Sequence, residues 1–289
     1  MNRTQLFATA VTAALGLSVG AAAQAAVVGL TIPGAPNNPY QTDRWTDLAD
    51  TGVDVGPAGA SYAVGEVHTF HSQQRVGSFL TEGGPQPPCL NDPSSTCDSG
   101  SGFEITKEWT TQYTVTAVTP NTVIFQSLPG QTGTLRIFYD DITDGSAADP
   151  SGVSCYPGAS CAYPEGVLIL SATLLSSSLG ITAITPTTGG GSFDTEWQIT
   201  SVNPAFLDMS RLVGSIITDR FTGTLVVPPR PPIPFVMWDG TPVPAFNSPA
   251  ASLFTVESSQ TFNAPEPSSL ALIGAGLLGL ARLFRKKKV

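Results

Sequence analysis

Apolar and polar residues alternate along short stretches of this chain, and glycine, proline or asparagine separates the stretches. In the last of them, alternate positions hold Phe254, Val256, Ser258, Gln260 and Phe262. A period of two is typical of a β-strand with one buried face, whereas a helix repeats every 3.6 residues. Strands are predicted at 103–119 (one long strand or a hairpin), 122–128, 134–139, 166–176, 193–201, 221–227 and 254–262. The pattern predicts an all-β fold, an antiparallel β-sandwich with jelly-roll-like topology.

One segment of the middle region departs from this alternation. Between residues 204 and 217, apolar residues recur at helical spacing, and a short helix is predicted there. No internal repeat of 20 to 50 residues is visible, which excludes propellers and solenoids.

The N-terminus has the three parts of a secretory signal peptide. Arg3 supplies the positive charge, residues 6–19 form an apolar stretch, and Ala23 and Ala25 form an A-x-A cleavage site. Residues 1–25 are therefore predicted to be a helical signal peptide that signal peptidase removes after transport by the secretion machinery. Export places the remaining chain in a compartment where disulfides can form.

The C-terminus has three parts as well. Pro265, Glu266 and Pro267 precede an apolar stretch at 270–281, which is shorter than the roughly 20 residues of a comfortable transmembrane helix. A basic cluster follows, composed of Arg282, Arg285, Lys286, Lys287 and Lys288. Basic residues stay on the cytoplasmic side of a membrane, so the residues before Pro265 are expected outside.

This order of Pro-Glu-Pro, short apolar helix and basic end resembles the PEP-CTERM signal of exported bacterial proteins that an exosortase processes. The resemblance implies an exosortase-like enzyme as a partner and transient anchoring in the inner membrane by residues 265–289. It also implies cleavage near Pro265-Glu266-Pro267 and release to the cell surface or extracellular matrix. The alternative is an ordinary tail anchor that no enzyme recognises.

The charge of the region between the two signals excludes one class of partner. Residues 26–267 contain seven basic and 22 acidic residues, a net charge of −15. Such a surface repels phosphate backbones, so nucleic-acid binding is not expected. The acidic residues serve solubility or hold divalent cations.

Four cysteines occur as two close pairs, Cys89 with Cys97 and Cys155 with Cys161. Four cysteines permit three disulfide connectivities. The local pairing is favoured because each pair lies within a stretch rich in proline, glycine and serine. The alternative, a zinc site, does not fit the C-x7-C and C-x5-C spacings, and no histidine lies near them in sequence.

The region between the signals, residues 26–264, is interpreted as one ectodomain with a resemblance of its own. Residues 135–170, 203–206 and 254–256 resemble flocculation-associated PEP-CTERM proteins of floc-forming bacteria. The cysteine-bearing segment at 155–161 departs from that likeness. The resemblance implies a role in biofilm or floc architecture.

Carboxylates cluster in one predicted loop. Asp140, Asp141, Asp144 and Asp149 lie within ten residues and are candidate ligands for Ca²⁺, which binds oxygen atoms in flexible loops. The EF-hand pattern fails there, however, and a solvated turn is the alternative reading. No other cofactor is predicted.

Tryptophan and histidine provide the remaining candidates. Trp109 and Trp197 lie next to acidic strand residues and are candidates for stacking on sugars, although large aromatic residues mostly fill sandwich cores. His68 and His71 lie three apart on a predicted strand and therefore face opposite sides of it. No G-x-S-x-G motif occurs.

These observations predict a non-enzymatic, exported structural protein of the cell surface or extracellular matrix that supports biofilm, floc or envelope architecture. A carbohydrate-binding module for exopolysaccharide is the first alternative. A secreted hydrolase is the second, and it requires His68 or His71 to lie near a serine or a carboxylate.

Overall fold

A computed structural model describes residues 27–33, 39–47, 50–57, 62–80, 90, 102–141, 166–185, 188–208, 213–225, 235–236, 242–243 and 251–263. The chain divides into one unit of Ala25–Phe262 and a second of Met1–Gln24 with Asn263–Val289. Of the second unit, only Asn263 is among the described residues. The strands are β1 (Val28–Leu30), β2 (Tyr40–Thr42), β3 (Arg44–Asp47), β4 (Asp50–Val55), β5 (Val67–Leu80), β6 (Phe103–Thr119), β7 (Thr122–Gln126), β8 (Gly133–Asp141), β9 (Val167–Thr185), β10 (Thr188–Val202), β11 (Leu207–Asp208), β12 (Ile216–Leu225), β13 (Phe235–Val236), β14 (Pro242–Val243) and β15 (Ala251–Asn263).

Ten of these strands form one sheet that closes on itself. β5 pairs with β6, which pairs with both β7 and β8, and these two pair with β9. β10, β12 and β15 continue the sheet, and β15 pairs with both β3 and β4, which return to β5. β7 and β8 both lie between β6 and β9, and β3 and β4 both lie between β5 and β15. The ten strands therefore occupy eight positions around a closed barrel.

The prediction of an antiparallel, all-β fold is confirmed. The finer prediction of a two-sheet sandwich with jelly-roll-like topology is not what the main sheet forms, because its last strand pairs back onto its first strands. Alternation of apolar and polar residues is the same in a sandwich and in a barrel, so it does not reveal whether a sheet closes. Closure removes the edge strands of the main sheet.

Each strand predicted from the sequence is present. The predicted segments 103–119 and 254–262 correspond to β6 and β15, and β9 extends nine residues beyond the predicted end at 176. The short helix predicted at 204–217 is wrong for the described part of that segment. The Asn203 side chain accepts a hydrogen bond from the Ala205 amide at 3.1 Å and forms a turn, and Leu207 then pairs with Leu30 of β1.

Two small sheets accompany the barrel. One has the order β11-β1-β2, and the other pairs β13 with β14. The first contributes Val28, Leu30, Tyr40 and Leu207 to the same core as the barrel strands.

Aromatic side chains fill much of the barrel interior. The Trp109 ring lies 4.4 Å from Phe221 and 6.2 Å from Trp197, measured between ring centroids. Trp45 makes edge contacts with Phe79 at 5.4 Å and with Phe262 at 4.9 Å. Aromatic rings of this size bury large apolar areas and stabilise the closed sheet.

Candidate functional site

A lysine side chain lies inside the barrel together with two aspartates. The side chains of Lys107 on β6, Asp47 on β3 and Asp219 on β12 have no exposed surface. Lys107 Nζ contacts Asp47 Oδ2 and donates to Asp219 Oδ2 at 2.9 Å and to Ser258 Oγ of β15 at 2.6 Å. A buried ammonium group is tolerated only when it is paired and hydrogen-bonded, and here three partners match its three donors.

Two amide side chains complete this group. Gln260 donates to Asp219 Oδ2 at 3.0 Å, and Gln74 Oε1 accepts a hydrogen bond from Trp109 Nε1 at 3.2 Å. Ser258 Oγ contacts both Asp47 Oδ2 and Gln74 Oε1. We call the six residues Lys107, Asp47, Asp219, Ser258, Gln74 and Gln260 the lysine cluster.

The strand period aims these polar residues inward. On β6, Lys107 lies in phase with the buried residues Ile105 and Trp109, so its side chain enters the interior. On β3, an irregularity of register after Thr46 sets Asp47 opposite Val76, which is also buried. Such bulges re-aim a side chain without ending the sheet.

The electrostatics of the lysine cluster shift the pKa of Asp219 upward. Burial raises the pKa of Asp219 to about 6; Lys107 opposes this rise, and the nearby Asp47 carboxylate adds to it. The Oδ1 atoms of both Asp47 and Asp219 are buried and have no hydrogen-bond partner among the described residues. The cluster therefore holds an amine, a carboxyl group that titrates near neutral pH and a second carboxyl group in contact, all away from water.

A second buried polar group surrounds His68. His68 Nδ1 lies 3.2 Å from Asp54 Oδ1, and Nε2 lies 3.7 Å from Glu66 Oε2. Tyr113 and Tyr62 each donate a hydroxyl proton to Asp54, at 2.8 and 3.1 Å, and their rings stack with the imidazole of His68. We call these five residues the histidine cluster.

The histidine cluster favours the protonated form of His68. Burial lowers the pKa of His68, but Asp54 and Glu66 together outweigh burial and raise it above the usual value. The described contacts of His68 include the Asp54 and Glu66 carboxylates, so the neighbouring carboxylate that the hydrolase alternative requires is present. Its other described contacts are to aromatic rings, and none is to a serine or threonine hydroxyl. His71 faces the other side of β5, as predicted, where Nδ1 lies 3.1 Å from Thr110 Oγ1.

A polar groove of about 680 Å³ lies on the barrel surface. It is lined by Arg44, Gln126, Ser176, Ser177, Asp194, Glu196, Thr218, Arg220, Ser259 and Thr261. Arg220 lies 3.6 Å from Asp194, its partner on the neighbouring strand, and Ser176 Oγ donates to Glu196 Oε2 at 2.9 Å. We call this surface the outer groove. Its guanidinium, carboxylate and hydroxyl groups suit a ligand rich in hydrogen-bonding groups.

The two tryptophans predicted to stack on sugars are in the core. Trp109 and Trp197 are 0 % exposed, and Trp197 Nε1 donates to Thr195 Oγ1 at 2.7 Å within the interior. The prediction of sugar stacking is wrong for both indoles in this structure, because a sugar cannot reach a buried ring. Their inward position follows from the same alternation that predicted their strands.

The other predicted site residues lie mostly outside the described part of the chain. Asp140 and Asp141 end β8, whereas Asp144 and Asp149 are outside, so the calcium site stays a prediction. Also outside are the signal cleavage residues Ala23 and Ala25, the cysteines Cys89, Cys97, Cys155 and Cys161, and the sorting residues Pro265, Glu266, Pro267, Arg282, Arg285, Lys286, Lys287 and Lys288. Among the described residues, no group of three or more histidine, cysteine, aspartate or glutamate residues is placed to hold a metal ion.

The lysine cluster was missed by the sequence interpretation, although a signal for it exists. Ser258 and Gln260 share the phase of Phe254, Val256 and Phe262, which means that two polar residues occupy core positions of one strand. Polar residues at core positions require partners, and this requirement predicts a buried network. Which residues complete it depends on how the strands close.

The described residues thus form a closed antiparallel barrel with a buried ionic network and a polar groove on its surface. Residues 263–287 match the PEP-CTERM protein-sorting motif, so the chain carries the signal of exported proteins that an exosortase sorts to the cell surface. No curated protein and no solved structure matches this chain. In the part of the chain that the structure describes, no helix has the length and apolar character needed to cross a membrane.

Proposed function

We propose that this protein is a non-enzymatic β-barrel of the cell surface or extracellular matrix, where it supports biofilm, floc or envelope architecture. Its C-terminal segment holds it transiently in the inner membrane until an exosortase-like enzyme cleaves near Pro265-Glu266-Pro267. The barrel is then released from the membrane.

The position of the sorting motif in the chain carries this proposal. β15, the last strand of the barrel, ends at Asn263, and the motif match begins at that same residue. Cleavage between Pro265 and Pro267 therefore leaves every strand of the barrel in the released product. A closed sheet without edge strands also suits a protein that persists outside the cell, because it offers no edge for aggregation.

Fractionation of the producing bacterium tests the route. We expect the matrix fraction to contain a protein whose C-terminus, read by mass spectrometry, lies near residues 265–267. Without the exosortase, the protein should stay with the membrane and keep Lys288. A matrix-released protein that still ends in the basic cluster would contradict the proposal.

Two variants separate sorting from folding. Glu266→Ala should reduce release into the matrix, whereas Glu257→Ala, which removes an exposed carboxylate from β15, should not.

A strain that lacks the protein should form weaker biofilm or floc, and expression of the Glu257→Ala variant in that strain should restore normal biofilm or floc. Full restoration by a variant retained in the membrane would contradict a role in the matrix.

A second candidate function is carbohydrate binding at the outer groove. The observation that favours it is the concentration of planar charged groups and hydroxyls in one groove, since arginine and carboxylate side chains form paired hydrogen bonds. Arg220 and Asp194 are 74 % and 57 % exposed, so both remain accessible to a ligand. The exopolysaccharide of the producing cell would be the natural ligand.

Pull-down on purified exopolysaccharide tests this second function. Arg220→Ala and Asp194→Ala should each weaken binding about tenfold, or about 1.4 kcal/mol. Thr173→Ala, an exposed substitution on β9 outside the groove, is the matched control and should leave binding unchanged. Equal retention of all three variants would exclude the groove as the binding site.

A further inference from the structure

The lysine cluster places a nucleophile and an electrophile in direct contact. Lys107 Nζ is an amine once it loses a proton, and the carboxyl carbon of Asp47 carries the oxygen that Nζ contacts. Both side chains have no exposed surface. An amine and a carboxyl group held in place behave as if at very high effective concentration, which converts a bimolecular reaction into an intramolecular one.

We propose that the folded barrel joins Lys107 to Asp47 through an intramolecular isopeptide bond, with Asp219 as the catalytic residue that transfers protons. The bond would connect β6 to β3, the two strands on either side of β5. Their linked residues are 60 positions apart in the chain.

The reaction balances without any co-reactant. Lys107 Nζ first gives a proton to the Asp47 carboxylate, which produces a neutral amine and a neutral carboxylic acid. The Nζ lone pair then attacks Cγ of Asp47 to form the C–N bond. Asp219 takes the excess proton from nitrogen and delivers it to the hydroxyl group of the tetrahedral intermediate. The C–O bond breaks, one water molecule leaves, and Asp219 returns to its starting state.

The surroundings keep water away from the reacting groups. The neutral amine and the neutral acid are the reactive forms, and the transfer of one proton from Lys107 to Asp47 produces both. The Phe221 ring lies 5.0 Å from Lys107 Nζ and helps to exclude water from the interior. Water is a product of the reaction, so its exclusion favours the amide.

The contacts distinguish the roles of the two aspartates. Asp47 Oδ2 is contacted by both Lys107 Nζ and Ser258 Oγ, so this oxygen receives the proton from Nζ and becomes the hydroxyl group that leaves as water. Asp219 is held by Gln260 and has a pKa near 6, so it can accept and donate a proton near neutral pH. Asp47 is therefore the electrophile and Asp219 the proton carrier.

Mass spectrometry of the mature protein from its producing strain tests the bond. After reduction of disulfides, the intact mass should be lower by one water molecule than the mass calculated between the observed termini. Trypsin does not cut after an acylated lysine, so residues 76–136 should appear as one peptide joined to residues 45–75. An unmodified mass with a free 76–107 peptide would overturn the proposal, and so would a link from Lys107 to residues 212–220, which contain Asp219.

Two variants test the roles of the reacting groups. Asp219→Asn keeps both reacting groups and the size of the side chain but removes the proton carrier, so it should retain the full mass. Lys107→Arg keeps the positive charge between the two carboxylates and should also retain the full mass. Circular dichroism shows whether each variant folds. A folded Asp219→Asn variant that still loses water would remove Asp219 from the reaction.

Discussion

Lys107 Nζ and Asp219 Oδ2 lie 2.9 Å apart, although their residues are 112 positions apart in the chain and come from strands on different parts of the barrel wall. The contact exists only because the sheet closes. It ties the electrostatics of the interior to the integrity of the whole fold.

Removal of Lys107 should destabilise the barrel strongly. Lys107→Met leaves Asp47 and Asp219 buried without their cation, and breaking such a pair costs about 3–5 kcal/mol. Urea unfolding of Lys107→Met against Lys107→Arg, which keeps the cation but cannot form the isopeptide bond, measures the loss. Arg220→Met breaks an exposed ion pair on the same strand as Asp219 and should cost less than about 1 kcal/mol. Equal effects of Lys107→Met and Arg220→Met would mean that the buried network does not stabilise the fold.

The pKa of Asp219 predicts a specific dependence of stability on pH. It is raised from 3.8 to about 6, so the native state binds more protons than the unfolded state between these two values. This group therefore lowers the free energy of unfolding as pH rises through that interval, by about 2–3 kcal/mol. The unfolding free energy of wild type minus that of Asp219→Asn should therefore fall as pH rises over this range. Parallel curves for the two proteins would contradict the shift.

His68 should change the stability with the same sign as Asp219, but at higher pH. Its pKa is raised by Asp54 and Glu66, so its stabilising effect is complete below about 6.5 and disappears as pH rises through the folded value. NMR titration measures the pKa of His68, and the spectrum contains signals from two histidines only, because the chain has two. Asp54→Asn should lower the pKa of His68, whereas His71→Gln should leave it unchanged and assign the remaining signal. A pKa of His68 that is insensitive to Asp54 would contradict this picture.

Gly52 of β4 marks a close approach inside the core. A Cβ atom there would lie 2.6 Å from Phe70 Cζ, well inside van der Waals contact. Gly52→Ala should therefore destabilise the protein by about 1–3 kcal/mol through overpacking. Gly190→Ala is the matched control, since its nearest neighbour would be Gly223 O at 3.5 Å, an ordinary contact. Thermal unfolding compares the two, and a neutral Gly52→Ala would mean that the core can relax.

The strands could be predicted from the sequence because apolar and polar residues alternate within each one. β6 and β15 show it most clearly, and the structure has both where the pattern placed them. Closure of the sheet was not predictable in this way, because it depends on pairing between β15 and β3 or β4, far apart in the chain. Local periodicity contains no information on such partners.

The lack of information on strand partners also limited the prediction of the candidate site. Trp109 and Trp197 were candidates because they are large aromatic residues beside carboxylates, but alternation turns them inward while their acidic neighbours take other faces. Lys107 was not a candidate, since a single lysine in a strand is usually exposed. Its phase with Ile105 and Trp109 was the available signal. Only the closed sheet shows that Asp47, Asp219 and Ser258 meet it.

The pairing of β15 with β3 and β4 also sets the order in which the molecule can be made. Residues 44–55 must wait for residues 251–263 before the ring is complete, and contacts this distant in sequence form slowly. Because the closing strand β15 is the last strand of the barrel in chain order, the ring cannot close until residues 251–263 have been made.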